Sequence, residues 1–127
     1  MDSDIKKALE VLKDGGVILY PTDTIWGLGC DAANEEAVEK IYTIKKRSDQ
    51  KSMLVLLDNA NKIPSYITDM PEIAWDLIDL TEKPLTIIYS GAKNLAKNLV
   101  AQDESIEIRI SQDDFNQKLI RKFKKPI

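Results

Sequence analysis

The sequence predicts an α/β (or α+β) protein in which one twisted, open, mixed sheet is covered by flanking helices. Short apolar runs, typical of buried strands, alternate along the chain with segments whose apolar residues recur at helical spacing. The 127 residues suffice for one modest hydrophobic core but not for two. Apolar residues make up 43% of the chain and charged residues 31%, an ordinary globular composition. We therefore expect a single domain over residues 1–127.

In the first half of the chain, capping residues and apolar spacing predict two helices, and apolar runs predict two strands. Ser3 can cap the first helix, which a Gly-Gly pair ends. The run VILY at 17–20 predicts a short buried strand, and residues 21–32 after it predict a loop. Asn34 can cap the second helix. The near-continuous apolar run MLVLL at 53–57 predicts a strand covered on both faces.

The second half continues the alternation. Pro71 suits the first turn of a third helix. The run LTIIY at 85–89 predicts a strand, and SGAKNLAKNL at 90–99 predicts a loop that leads to a short helix. Residues 105–110, SIEIRI, alternate apolar and polar side chains, which predicts a strand with one wet face. Ser111 can cap a last helix, whose inward face would carry aromatic and leucine side chains.

The composition excludes several classes of chemistry. The chain has no histidine and a single cysteine, Cys30. Ser-His-Asp and Cys-His catalysis, His-ligated metals and a cysteine zinc site are therefore excluded, and we expect no metal site built from protein ligands. The net charge of −3 argues against a generally basic nucleic-acid binder. No apolar run approaches the ~20 residues of a membrane span, and the N-terminus does not resemble a signal peptide. We expect no membrane partner and a cytoplasmic location, which a single cysteine also fits.

The loop after the first strand holds the densest group of polar side chains. Thr22, Asp23 and Thr24 follow the carboxyl end of that strand, where open α/β sheets bind ligands. Two hydroxyls and a carboxylate could orient a small polar substrate, and Gly27 and Gly29 would let a ligand approach the backbone. The same residues also suit a purely structural turn, whose hydroxyls bond to local N–H groups. No P-loop or dinucleotide fingerprint is present, so a nucleotide would have to be held in another way.

Three cations lie close together between the second helix and the strand at 53–57. Lys45, Arg47 and Lys51 fall within seven residues and could neutralise a polyphosphate. The alternative is a solvated helix end, where cations favour the negative end of the helix dipole.

A second candidate group lies on the later strands. Arg109 is placed between two isoleucines that would face the core, so its guanidinium would lie on the opposite face, where it could bind a carboxylate. An exposed strand charge is the alternative. Ser105 begins the same strand, and the hydroxyl of Thr86 lies at the start of the strand at 85–89.

Four stretches resemble the YrdC-like family of threonylcarbamoyl-AMP (L-threonylcarbamoyladenylate) synthases. Residues 15–57 are similar to the family signature, with a YPTDT-type loop, a GLGCDA segment and a helix that ends in Lys-x-Arg. Weaker likenesses are KPLT at 83–86, IRIS at 108–111 and KKPI at 124–127. The resemblance implies a twisted α/β fold with a concave, positively lined cleft.

The resemblance also implies a reaction and roles for individual residues. ATP, bicarbonate and L-threonine would give L-threonylcarbamoyl-AMP and pyrophosphate, for threonylcarbamoyladenosine modification of tRNA, with Mg²⁺ arriving on ATP. The implied roles are threonine binding by Thr22 and Arg109, ATP binding by Lys45, Arg47, Lys51 and Ser105, and support by Thr24 and Thr86. No residue is implied as a nucleophile or base, which agrees with a chain that lacks histidine.

Departures from the family pattern leave two alternatives open. The Pro-Gly-Pro-type segment loses its glycine at Lys83, and Ser111 stands where the family has proline after the arginine strand. The family also continues after KKPI-like residues with a Ser-x-Asn motif, so we expect a domain that is incomplete at its C-terminus, with weak or no activity on its own. The alternatives are a non-catalytic module that binds double-stranded RNA or tRNA, and a paralogue that binds a nucleotide without making this product.

Overall fold

A computed structural model describes residues 2–21, 26–45, 54–80 and 85–127 of the protein. Its helices and strands alternate as predicted, which confirms the α/β class. The elements are α1 Asp2–Lys13, β1 Ile18–Pro21, β2 Trp26–Gly29, α2 Glu35–Lys45, β3 Leu54–Leu57, a 3-10 helix Ala60–Ser65, α3 Glu72–Leu80, β4 Thr86–Tyr89, β5 Ile106–Ile110 and α4 Asp114–Phe123.

The described strands form two small sheets rather than the one sheet predicted. β1 and β2 pair antiparallel in the first. In the second, β5 lies at the centre, parallel to β3 and antiparallel to β4, so this sheet is mixed. The prediction of a loop over residues 26–29 is wrong, because β2 occupies them. The two glycines of β2 lower its strand propensity, so the sequence pattern does not indicate a strand there.

Two clusters of buried side chains make up the core, and β3 separates them. Val55 and Leu57 belong to a cluster that includes residues of α2 and β5. Leu56, on the other face of β3, belongs to a cluster with residues of α1, β1 and α4. The prediction of a strand covered on both faces is therefore confirmed.

Helix caps match the prediction at α2 but not at α4. The Asn34 side chain accepts a hydrogen bond from the Ala37 N–H at 3.1 Å, as an N-cap does. At α4 the N-cap is Asp113, whose carboxylate accepts from the Asn116 N–H at 3.2 Å. The prediction that Ser111 caps this helix is wrong, because Ser111 is fully buried and its N–H bonds to the Leu57 carbonyl.

The segment between β4 and β5 contains turns and no helix, so the short helix predicted there is wrong. Gly91 and Asn94 have φ angles of 73° and 59°, in the left-handed region that interrupts a helix. The Asn94 side chain also donates a hydrogen bond to the Ser65 carbonyl, which ties this segment to the 3-10 helix. No described helix is both long enough and apolar enough to cross a membrane.

The last residues lie beside β3. Ile127 and Leu56 exchange two backbone hydrogen bonds, at 3.0 and 3.3 Å, as residues of paired antiparallel strands do. The Pro126 carbonyl accepts from the Ala32 N–H at 3.2 Å. These bonds attach the last residues to the edge strand β3.

Candidate functional site

The centre of the candidate site is an arginine oriented by a threonine on the neighbouring strand. Arg109 on β5 lies directly opposite Thr86 on β4. Its Nε donates a hydrogen bond to the Thr86 Oγ1 at 2.8 Å. Because this bond uses Nε, the pair of terminal nitrogens is the part of the guanidinium that the arrangement presents to a carboxylate.

The alternation of β5 places Arg109 on the polar face of that strand. Ile108 is buried, and Ile110 is partly buried against the same cluster. Glu107 and Arg109 are partly exposed. The prediction that Arg109 shares a face with Glu107, opposite the isoleucines, is therefore confirmed. β5 is the central strand, so its neighbours on both sides restrict the backbone under Arg109.

Tyr20, at the end of β1, carries a buried phenol whose pKa is sensitive to Arg109. Its side chain is buried, and burial raises the pKa of the Tyr20 phenol to about 12. The Cys30 thiol raises this pKa further, and the Arg109 guanidinium opposes the rise, so the phenol lies within electrostatic reach of that charge. Tyr20 also packs in the same buried cluster as Leu56, which lies opposite Arg109 in the β3–β5 register.

Gly29 and Cys30 surround the Tyr20 ring. A Cβ atom on Gly29 would lie 2.4 Å from Cε1 of Tyr20, so the ring lies against the bare backbone of β2. Cys30 is buried, and burial, followed by the nearby Asp31 carboxylate, raises the pKa of its thiol to about 12. The thiol is therefore protonated near neutral pH and is not an activated nucleophile.

Ser105 lies at the other end of β5. Its hydroxyl donates to the Asp103 Oδ1 at 2.6 Å, and its N–H donates to the same oxygen at 3.0 Å. These bonds lower the pKa of the Asp103 carboxyl. Arg109 comes four residues after Ser105 along extended backbone, which puts about 13 Å between their Cα atoms. A ligand that contacts both side chains would have to span that distance.

Most of the other predicted site residues lie outside the described ranges. They are Thr22, Thr24, Arg47 and Lys51. Lys45 is the last residue of α2, as predicted for a helix that ends at the cations, and its side chain is also outside the described part. The roles that the resemblance implies for these residues therefore stay predictions. Within the described ranges, no three His, Cys, Asp or Glu side chains come together as metal ligands.

Sequence reasoning missed the roles of Tyr20 and Gly29. The available signal was a tyrosine at the end of an otherwise aliphatic strand, because a buried phenol needs polar surroundings. That Gly29 would lie against Tyr20 depended on recognising β2, since the β1–β2 register pairs Tyr20 with Gly27 and makes Gly29 its diagonal neighbour.

Comparisons of sequence agree with this architecture. The Sua5/YciO/YrdC family, described as "Telomere recombination", matches residues 10–127. A protein of Pseudoalteromonas translucida named threonylcarbamoyl-AMP synthase is 34% identical over 98% of this chain and 68% of its own length. One of Riesia pediculicola with the same name is 31% identical over 99% of this chain and 70% of its own length. The chain thus spans about two thirds of these relatives.

Comparisons of structure show the same fold in larger proteins. YciO of E. coli superimposes with a TM-score of 0.87 at 26% identity, covering 99% of this chain and 62% of YciO. Sua5 of P. abyssi, solved in complex with L-threonine, superimposes with a TM-score of 0.92 at 22% identity, covering 99% of this chain and 37% of Sua5.

Proposed function

Because this chain belongs to the Sua5/YciO/YrdC family, we propose that it acts in threonylcarbamoyl modification of tRNA as an L-threonylcarbamoyl-AMP synthase. The observation that carries the proposal is the Arg109 guanidinium, oriented by Thr86 on the polar face of the central strand. A fixed guanidinium at this position suits an α-carboxylate, the group common to all amino acids.

The proposed reaction is nucleotidyl transfer in two steps. The amine of L-threonine attacks bicarbonate, and loss of water leaves a carbamate on the amino nitrogen. A carbamate oxygen then attacks the α-phosphorus of ATP, the bond from that phosphorus to the bridging oxygen breaks, and pyrophosphate leaves. Such chemistry depends on positioning and charge neutralisation more than on a protein nucleophile. A chain without histidine and with a protonated, buried thiol is compatible with it.

Under this proposal the site has an amino-acid end and a phosphate end. Arg109 binds the threonine carboxylate, Thr86 orients Arg109, and Thr22 and Thr24 contact or support the amino acid. Lys45, Arg47 and Lys51 neutralise the phosphates, and Ser105 lies towards the nucleotide. Mg²⁺ enters with ATP and keeps phosphate oxygens and water as most of its ligands.

Two observations support the amino-acid end. Tyr20, at the end of β1, packs in the same buried cluster as Leu56, which lies opposite Arg109 in register. In addition, P. abyssi Sua5, which shares this fold, has been solved with L-threonine.

The proposal is tested with variants of Arg109. We expect Arg109→Ala to weaken L-threonine binding about 10- to 150-fold, because a hydrogen-bonded charge pair contributes about 1.5–3 kcal/mol. Arg109→Lys should retain only part of the affinity that Arg109→Ala loses, since lysine lacks the planar donor pair. Calorimetric titration with L-threonine measures the affinity, and threonine-dependent release of pyrophosphate from ATP and bicarbonate measures turnover. Arg121→Ala, on the exposed face of α4, is the matched control and should change neither.

The phosphate end is tested separately. Lys45→Ala and Arg47→Ala should weaken ATP binding and slow pyrophosphate release while leaving L-threonine affinity unchanged. Undiminished release in both variants would refute the phosphate assignment. A protein that binds ATP but releases no pyrophosphate with threonine would be the nucleotide-binding paralogue. RNA binding that falls steeply between two salt concentrations, with no threonine binding, would favour the RNA-binding module.

A further inference from the structure

Helix α3 carries a stripe of large apolar side chains on its outer face. Ile73 is 66% exposed, Leu80 is 83% exposed, and Leu77 between them is also exposed. The three residues follow the i, i+4, i+7 spacing that places side chains on one face of a helix. A continuous exposed stripe differs from isolated surface leucines and indicates an interaction surface.

An acidic row runs beside this stripe. Glu72, Asp76 and Asp79 are exposed and follow a similar spacing, one position before each member of the stripe. Within the described ranges the ion pairs are Lys62–Asp58 and Lys125–Asp31, so these three carboxylates face no cation of that part of the chain. A partner for α3 should therefore combine an apolar groove with basic edges.

The protein has an apolar groove at the junction of α1, β1 and α4, and one lysine and one aspartate are among its lining residues. Leu19 is 65% exposed, and with Val11 and Phe115 it lines a concave apolar surface. Lys7 lines the same groove, and Lys122 lies two helical turns after Phe115 on the same side of α4. Asp4 is the acidic residue among the lining side chains, and it lies on the same helix as Lys7.

A single molecule cannot place its own α3 in its own groove. The buried residue of α3, Ala74, packs in the cluster that contains α2 and β5. The groove lies over the other cluster, formed by α1, β1 and α4, on the far side of β3. The two complementary surfaces therefore belong to different sides of the core.

We propose that α3 of one molecule docks in the α1–β1–α4 groove of a second copy, with the acidic row of α3 facing Lys7 and Lys122. The two contact surfaces differ, so the interface is heterologous, and successive molecules join head to tail. The surfaces are small, which predicts weak and concentration-dependent association, as for interfaces that bury less than about 1,200 Å². The inference is independent of the proposed reaction.

Sedimentation velocity over a range of concentrations tests the proposal with two variants. Leu80→Asp removes the apolar stripe but keeps the groove, and Leu19→Asp removes the groove but keeps the stripe. Wild-type protein should form species of increasing size with concentration, and each variant alone should be monomeric. An equimolar mixture should form a species of two chains and none larger, because one intact helix then meets one intact groove.

Controls separate this interface from other causes. Ile88→Asp changes another apolar residue, 67% exposed on β4 outside both surfaces, and should associate like the wild type. Matching melting temperatures would show that the variants fold. Wild-type protein that stays monomeric at every concentration would overturn the proposal, as would a mixture of the two variants that stays monomeric. Binding of a synthetic basic amphipathic peptide to α3 without self-association would also overturn it, in favour of a different partner.

Discussion

Gly29 has no side chain, and this leaves room for the ring of Tyr20 to lie against it. The charge of Arg109 opposes the rise in the pKa of the Tyr20 phenol that burial causes. Arg109 itself donates a hydrogen bond to the hydroxyl of Thr86. A methyl group added at Gly29 would meet the Tyr20 ring.

We expect Gly29→Ala to lower the free energy of unfolding by about 1–3 kcal/mol, because the new Cβ would overlap the Tyr20 ring and overpack the site. The same substitution in a Tyr20→Leu background should cost much less, since the shorter side chain leaves room for the methyl group. Urea unfolding of the four proteins measures the coupling between the two positions. Equal losses in both backgrounds would show that the ring is not the cause.

The elements were predictable where local patterns decide them. Asn34 as the cap of α2 and the two-sided burial of β3 follow from residue type and apolar runs. β2 could not be predicted, because its glycines are paired with β1 only through the tertiary register. The prediction that Ser111 caps α4 was wrong for a related reason. The Ser111 N–H donates to the Leu57 carbonyl of β3, and the helix begins later, after Asp113.

The caps at α4 give a direct comparison of two neighbouring residues. Asp113→Ala should lower the free energy of unfolding by about 0.5–2 kcal/mol, because the Asn116 N–H loses its acceptor. Asp113→Ser should retain most of the stability, since serine also caps. Ser111→Ala should cost less than Asp113→Ala, because the Ser111 hydroxyl makes only a long contact of 3.4 Å with the Asp113 N–H. Urea denaturation distinguishes them, and a larger loss for Ser111→Ala would contradict the assignment.

At the scale of the whole molecule, β3 lies between two clusters of buried side chains that together form the core. The first cluster lies towards α2 and contains Cys30, and the second lies towards α1 and α4 and contains Tyr20. Burial raises the pKa of both groups, so folding favours their protonated forms. The protein is therefore expected to lose stability as the pH becomes alkaline.

The sign of this linkage follows from the two pKa values. On folding, the pKa of the Cys30 thiol rises from 9.0 to about 12, and the pKa of the Tyr20 phenol rises from 10.0 to about 12. Both contributions are fully present below the unfolded values and are lost as the pH rises towards the folded ones. We expect the free energy of unfolding to decline from about pH 9 upward. Cys30→Ala should flatten the first part of that decline.

Urea unfolding at several pH values on either side of 9.0 measures this slope. Val38→Ala is the matched control, because it removes a buried side chain from the same cluster without a titratable group. It should lower stability by a similar amount at every pH. An unchanged slope in Cys30→Ala would contradict the assignment of the thiol.

The sequence by itself determined the α/β class, most of the helices and strands, the resemblance to the family and the polar face on which Arg109 lies. These features depend on local periodicity, capping residues and contiguous motifs, all of which involve residues close together in the sequence. Only the tertiary structure decided that the described strands form two sheets, that Thr86 meets Arg109 and that the Tyr20 ring lies against Gly29. Strand order and register set these contacts, and they join residues far apart in the chain, for which no local pattern carries a signal.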